Sequence, residues 1–316
     1  MYIRNVACVG VGLIGQGWAT LFSLKDLHVC MYDISEEILK KALERVESNL
    51  LFLKKKGLIQ EGKAVEALNG IKATTSMAEA VSRSDYVQES VREDYDVKRK
   101  VFEEMERHAP RHAILASSSS GLLMTEIQKA TTMPERCVLA HPILPTHLIS
   151  LVEIAGGEQT SKETLETTCE FMSWLGRSPV VLNKEVPGYI VNRLQAAILR
   201  EAISLVANGV ASAEDVDRAF CVGIGLRDPI FGPFLRAHVA GGGIERYIEN
   251  FGQSNSNRWR TMESWTTIPD SAAKKVIEDV YEMEAVRRET IESIERIRDE
   301  KLVEILALMG PKHPFY

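Results

Sequence analysis

The stretch Val6-Ala7-Cys8-Val9-Gly10-Val11-Gly12-Leu13-Ile14-Gly15 constrains this chain more than any other. Four residues that read as a buried strand run straight into G-x-G-x-x-G, and a helical pattern over residues 15–24 follows. Each glycine has its own mechanical reason. Gly10 permits the tight turn, Gly12 lets a pyrophosphate approach the backbone, and Gly15 lets the helix pack on the strand. Leu13 and Ile14 complete the turn at the helix N-terminus, whose free N–H groups and positive dipole end suit phosphate. A second strand, 28–32, then leads to Asp33, eighteen residues beyond Gly15. A carboxylate there accepts hydrogen bonds from ribose hydroxyls and repels a 2′-phosphate. No arginine in Ile34-Ser35-Glu36-Glu37 neutralises such a phosphate. The cofactor expected on these residues is NAD, not NADP.

The pattern of that opening continues. Strand-like runs at 71–74, 86–87, 113–116, 138–140, 152–155 and 180–182 alternate with helical stretches such as 36–56, 96–108 and 125–131. Such alternation predicts an α/β fold with a doubly wound parallel sheet of the Rossmann type. The character changes at Asn183-Lys184-Glu185-Val186-Pro187-Gly188, after which the strand-like runs stop. Ile190, Leu194, Ile198 and Leu205 share one face of a long helix, widened by Val191, Ala197 and Ala202. That face is broad enough for a subunit interface or a domain core. Further helices are expected at 213–220, 243–251 and, as one long charged helix, 272–308. The chain therefore divides into a dinucleotide-binding domain over 1–185 and an all-helical domain over 186–316.

Composition narrows the partners. Apolar residues make up 45% and charged residues 26%, with a net charge of −6. No basic stripe suggests a nucleic acid. The one basic cluster, Lys54-Lys55-Lys56, reads as a solvated helix end. No apolar run reaches the roughly 18 residues that a membrane span needs, and no secretory leader precedes the first strand. Five scattered cysteines with no C-x-x-C pair point to reduced thiols, with neither a disulfide frame nor a metal site. A cytoplasmic protein without membrane or nucleic-acid partners is the expectation.

Four further segments carry a family resemblance. They are Gln88-Glu89-Ser90-Val91-Arg92-Glu93 with Lys98, the run Ala116-Ser117-Ser118-Ser119-Ser120, Ala140-His141-Pro142 with Glu153 twelve residues past the histidine, and Pro187-Gly188-Tyr189-Ile190-Val191-Asn192-Arg193-Leu194. In this order and spacing the chain resembles the 3-hydroxyacyl-CoA dehydrogenase superfamily over nearly its whole length. The nearest likeness is to the L-gulonate 3-dehydrogenase (lambda-crystallin) branch, with the L-carnitine dehydrogenases beside it.

The resemblance implies roles. His141 would be the general base and Glu153 the carboxylate that orients it. Imidazole suits the removal of a proton from a secondary alcohol, and a carboxylate on its far nitrogen stabilises the imidazolium. Ser117 and Asn192 would hydrogen-bond the substrate oxygen. Ser90, Glu93 and Lys98 would line the nicotinamide-ribose side, and Ser118 would mark the gulonate branch and its substrate. Gly223-Ile224-Gly225-Leu226-Arg227 resembles a segment of the gulonate and carnitine branches, and Arg227 would clamp a substrate carboxylate in its bidentate fork. Dimerisation through the helical domain is implied as well.

The chain departs from the family pattern near the presumed pocket. Leu144 stands where the family carries an asparagine that helps hold the nicotinamide, His147 replaces a tyrosine and Ser150 a proline. The expected activity is NAD-dependent oxidation of the 3-hydroxyl of a small hydroxy acid, gulonate- or carnitine-like. A 3-hydroxyacyl-CoA substrate and a non-catalytic, crystallin-like scaffold that retains NAD binding stay open at this point.

Overall fold

In the computed structural model, which describes residues 3–310, the alternating runs form eight strands. These are β1 (Asn5–Val9), β2 (His28–Tyr32), β3 (Ile71–Thr74), β4 (Tyr86–Glu89), β5 (Ile114–Ser117), β6 (Cys137–Pro142), β7 (Leu151–Gly156) and β8 (Ser178–Val181). They join in one sheet of order β3-β2-β1-β4-β5-β6-β7-β8. Between them run α1 (Leu13–Ser23), α2 (Glu36–Lys55), α3 (Lys63–Asn69), α4 (Met77–Val81), α5 (Tyr95–His108), α6 (Met124–Gln128) and α7 (Lys162–Trp174). The order reverses where β1 lies beside β4, the switch point at which sheets of this kind open a crevice for ligands.

Alternate residues of each central strand serve opposite faces, so both faces are buried and the strands read as continuous apolar runs. Val6 and Cys8 join Trp18, Phe22, Tyr86 and Phe171 on one side. Ala7 and Val9 join Val87, Phe102, Met105 and Leu115 on the other.

The parallel sheet expected from the alternation of strands and helices is interrupted at one pair. The sheet is not wholly parallel, because β6 and β7 pair antiparallel while β8 runs parallel to β7. Only residues 143–150 connect β6 to β7. A parallel crossover needs a dozen residues or more, so the chain must turn straight back.

The chain's contacts divide it into two compact units, the first ending at Arg193 and the second beginning at Leu194. The dividing point lies within α8 (Val191–Ala207). The second unit is all-helical, with α9 (Ala213–Ala219), a π-helical turn at Phe220–Gly225, α10 (Pro233–Gly241), α11 (Ile244–Thr261), α12 (Asp270–Glu282), α13 (Glu284–Arg288) and α14 (Ile291–Met309). The single long helix expected over 272–308 is thus three. One break falls at Met283, whose backbone is extended, and another at Thr290, whose hydroxyl caps α14 by accepting from the Ser293 N–H at 3.2 Å.

Apolar residues on α8 and just before it are exposed among the described residues. Ile190, Leu194 and Ile198 are 42%, 52% and 48% exposed. Among the described residues from Leu194 onward, the buried apolar ones are only Ile203, Val206, Ala213, Ala272 and Val303. No helix among the described residues is long and apolar enough to cross a membrane. All five cysteines are free.

Candidate active site

The glycine turn separates into two kinds of position. Gly10 has φ +81°, and a Cβ there would stand 2.9 Å from the Ser90 carbonyl carbon and the Val91 nitrogen. A Cβ on Gly15 would stand 2.0 Å from the Gly10 carbonyl oxygen. Both glycines are therefore demanded by the chain's own packing. A Cβ on Gly12 would meet nothing within 4 Å. Nothing among the described residues requires glycine at that position, which is open to close approach by a ligand. The helix it introduces, α1, has no side-chain cap and no acidic residue in its first turn, so neither feature would oppose an anion at its N-terminal N–H groups. Leu13 is exposed and Ile14 half-buried beside them.

Asp33 closes this turn from β2. One carboxylate oxygen accepts from the Val11 N–H at 3.0 Å and the other from the Ile34 N–H at 2.8 Å. Each oxygen keeps a lone pair for a further donor. The residues present thus fit the adenosine and pyrophosphate portion of a dinucleotide.

His141 and Glu153 are brought together by the β6–β7 reversal, which makes them direct cross-strand partners. Residues opposite one another in an antiparallel ladder share a face. The His141 Nδ1 lies 2.9 Å from a Glu153 carboxylate oxygen. The other oxygen accepts the backbone N–H groups of Ile190 and Val191 at 2.9 and 3.0 Å, where α8 starts. Burial pushes the Glu153 carboxyl up, but the hydrogen bond with His141 and the N–H groups of Val191 and Ile190 outweigh it and hold it below its ordinary value. An ionised Glu153 accepts only, so neutral His141 carries its proton on Nδ1. Nε2 then presents a bare lone pair, and no described residue hydrogen-bonds to it. Tyr189 packs beside the imidazole with ring centroids 5.5 Å apart, and its hydroxyl donates to the Leu122 carbonyl.

The serine run is where the structure revises the sequence reading most. Ser117 is fully buried. Its hydroxyl donates to Glu89 at 2.7 Å and accepts from the Ser119 N–H at 3.1 Å, so it has no surface to offer a substrate. Ser118, expected at the substrate, is also buried, and its oxygen accepts from Trp18 Nε1 and Gln88 Nε2. Ser117 still belongs to β5 and Ser118 directly follows it, so both hydroxyls are held in the protein interior. The serine beside the expected polar partner is Ser120, half-buried, whose carbonyl accepts from Asn192 Nδ2 at 2.8 Å.

Lys98 is buried and binds Glu89 at 2.8 Å and Glu93 at 3.5 Å. Its ammonium is enclosed by these carboxylates, so the expected contact with the cofactor ribose is replaced by support of Glu93. One oxygen of Glu93 accepts from the Ser119 hydroxyl at 2.7 Å and from the Ser120 and Gly121 N–H groups at 2.8 Å. Burial raises the Glu93 carboxyl, but the Ser119 hydroxyl, Lys98 and these N–H groups bring it below its ordinary value. Glu93 thereby shapes the loop that presents Ser120. Ser90 sits at the switch point, its N–H bonded to Val9 and its hydroxyl to Ser118.

Sequence reasoning missed Glu89, Ser120 and Tyr189. The signal for Glu89 was a lone carboxylate ending the strand run Tyr86-Val87-Gln88, where burial demands a partner. Arg227 belongs to the second unit, exposed, with Nε bonded to the Gly223 carbonyl. Asp228, its acidic neighbour, pairs instead with Arg236 at 2.8 Å. Leu144, expected to stand where the family carries an asparagine, is 42% exposed.

Residues 5–186 match the model of the 3-hydroxyacyl-CoA dehydrogenase NAD binding domain, and residues 188–296 that of the 3-hydroxyacyl-CoA dehydrogenase C-terminal domain. The L-carnitine dehydrogenase of Oceanobacillus iheyensis is 36% identical over 314 residues, covering 99% of this chain and 100% of that protein. The L-carnitine dehydrogenase of Streptomyces coelicolor is 33% identical over 320 residues, covering 99% and 96%. Among solved structures, an NAD+-dependent dismutase, 5-formyl-3-hydroxy-2-methylpyridine 4-carboxylic acid 5-dehydrogenase, superposes with a TM-score of 0.82. It is 27% identical, with 97% of each chain covered. The (S)-3-hydroxybutyryl-CoA dehydrogenase of Ralstonia eutropha gives 0.67 at 26% identity, with 95% of each covered.

Proposed function

The chain belongs to the 3-hydroxyacyl-CoA dehydrogenase family, and from that premise we propose that it oxidises the 3-hydroxyl of a small free hydroxy acid of the carnitine or gulonate type. NAD, for which Gly10, Gly12, Gly15 and Asp33 form the fitting turn, supplies the acceptor for the carbinol hydrogen when bound. The observation that carries the reading is the His141–Glu153 pair, with Nδ1 held by the carboxylate and Nε2 left bare.

His141 Nε2 takes the substrate hydroxyl proton. Glu153 fixes the tautomer and stabilises the imidazolium that results, and the two N–H groups at the start of α8 keep Glu153 ionised and in place. Asn192 uses one amide hydrogen on the Ser120 carbonyl and retains the other for the substrate oxygen. The Ser120 hydroxyl, which donates to Glu93 at 3.3 Å in this structure, turns its hydrogen to that oxygen when substrate binds, and with Asn192 it stabilises the charge that develops there, an effect worth a few kcal/mol. For the substrate carboxylate we propose Arg227, which has no ion pair among the described residues. We take the working form to be a homodimer, supported by the exposed apolar residues on α8 and just before it, and the compartment to be the cytoplasm, supported by five free thiols.

The likeness to the L-carnitine dehydrogenases favours a free acid over a thioester, and the complete His141–Glu153 pair speaks against a scaffold without chemistry. Initial rates of NADH formation across L-carnitine, L-gulonate, short hydroxy acids and 3-hydroxyacyl-CoA thioesters test this. Turnover of a free acid is expected. Turnover of thioesters alone would overturn the substrate class, and no turnover with NADH still bound would favour the scaffold.

A further inference from the structure

A buried hydrogen-bond chain runs from the core to the glycine turn, and its direction can be worked out atom by atom. The Ala140 carbonyl can only accept, so the Gln88 atom 3.3 Å from it is the amide nitrogen. The Gln88 carbonyl oxygen accordingly accepts from the Tyr86 hydroxyl at 3.1 Å. The same Gln88 nitrogen donates to the Ser118 oxygen at 2.8 Å, and Trp18 Nε1, which can only donate, reaches that oxygen at 3.1 Å. A hydroxyl has two acceptor positions and one hydrogen. Both acceptor positions of Ser118 are taken by N–H groups. The hydrogen between Ser118 and Ser90, whose oxygens are 2.8 Å apart, therefore belongs to Ser118. Ser90 is the acceptor in that contact and keeps its own hydrogen, which no described residue takes up.

That free hydrogen lies at the switch point. The Ser90 Cβ is 3.6 Å from where a Cβ on Gly15 would stand, and the Ser90 carbonyl carbon is 2.9 Å from the corresponding point on Gly10. Ser90 thus lines the turn whose uncapped helix end suits the dinucleotide, and the residue is only half-buried there. We propose that Ser90 donates its hydroxyl hydrogen to an oxygen of the dinucleotide, and that Ser118, buried and out of contact with any ligand, is the positioning residue that fixes Ser90 as a donor. The proposal rests on the NAD-binding reading above. It gives Ser118 a part in holding cofactor instead of substrate. Hydrogen bonds in such a chain polarise one another, so the terminal donor strengthens when the chain is intact.

NADH binding, followed by fluorescence without substrate, tests this in the full chain. The wild type must bind NADH; failure there would overturn the cofactor reading itself and not the relay. Ser90→Ala is expected to raise the Kd about tenfold, as loss of one hydrogen bond to a charged acceptor does. Ser118→Ala should raise it by several-fold, and the double variant should bind no more weakly than Ser90→Ala. That lack of additivity is the signature of one residue acting through another. Trp18→Phe keeps the stack on Phe22 while removing the donor into Ser118, and stands in if Ser118→Ala does not fold. It should weaken NADH about threefold with Ser90 present and not at all in the Ser90→Ala background. An unchanged Kd in Ser90→Ala, or effects of Ser118 and Ser90 that simply multiply, would overturn the proposal.

Discussion

Glu153 holds a negative charge that burial opposes and hydrogen bonds restore. A carboxyl held low in the folded protein contributes stability that is full above its unfolded pKa, about 4.3, and is lost as pH falls through the folded value. The wild type should therefore lose stability relative to Glu153→Gln between neutral pH and about pH 3. Urea denaturation of both proteins across that range measures it, and a gap independent of pH would show that Glu153 is not held low. In turnover, Glu153→Gln should cost about a hundredfold or more, since the imidazolium loses its counter-charge. Ser120→Ala and Asn192→Ala should each lower kcat by about a hundredfold with little change in KM, the pattern of an interaction made in the transition state. Ser117→Ala should act through stability, because its hydroxyl serves Glu89. The serine run was legible in the sequence, but the serine proposed to meet the substrate was not. Where β5 ends decides which hydroxyls are held in the interior, and no residue type in Ser117-Ser118-Ser119-Ser120 records that.

At the scale of elements, the strand–turn–helix opening was readable because steric demands select glycine at fixed positions. The three glycines nevertheless differ in kind. Gly12→Ala should fold with an unchanged melting temperature and lose NADH affinity, since its Cβ meets only open space. Gly10→Ala and Gly15→Ala should lower the melting temperature, one through a positive φ and backbone contact, the other through collision with the Gly10 carbonyl. Thermal melts beside NADH titrations separate the two classes, and a destabilised Gly12→Ala would contradict the division. The antiparallel turn of β6 and β7 was less legible. Both strands read as apolar runs in a parallel pattern, and only the eight-residue link at 143–150 carried the reversal. The breaks in the C-terminal helices were hidden for a related reason: a cap such as Thr290 is a local competitor that charge patterning does not register.

For the whole molecule, the two units differ in how they bury apolar surface. The sheet covers both of its faces with its own helices, whereas the helical unit leaves Leu194, Ile198, Phe234 and Trp259 exposed. We propose that these residues belong to a homodimer interface, since large contiguous apolar surface is seldom left open to water. Light scattering with size-exclusion chromatography should give the mass of two chains, and Leu194→Glu with Ile198→Glu should shift it to one. A wild-type monomer would contradict the homodimer. In the proposed mechanism, NAD held at the glycine turn works with His141 as the base for a secondary alcohol. That mechanism is tested most directly by His141→Gln, comparing the initial rate of NADH formation from the best hydroxy acid with the Kd for NADH. Turnover reduced about a thousandfold or more with an unchanged NADH Kd is the predicted result. Near-wild-type turnover in that variant would contradict it.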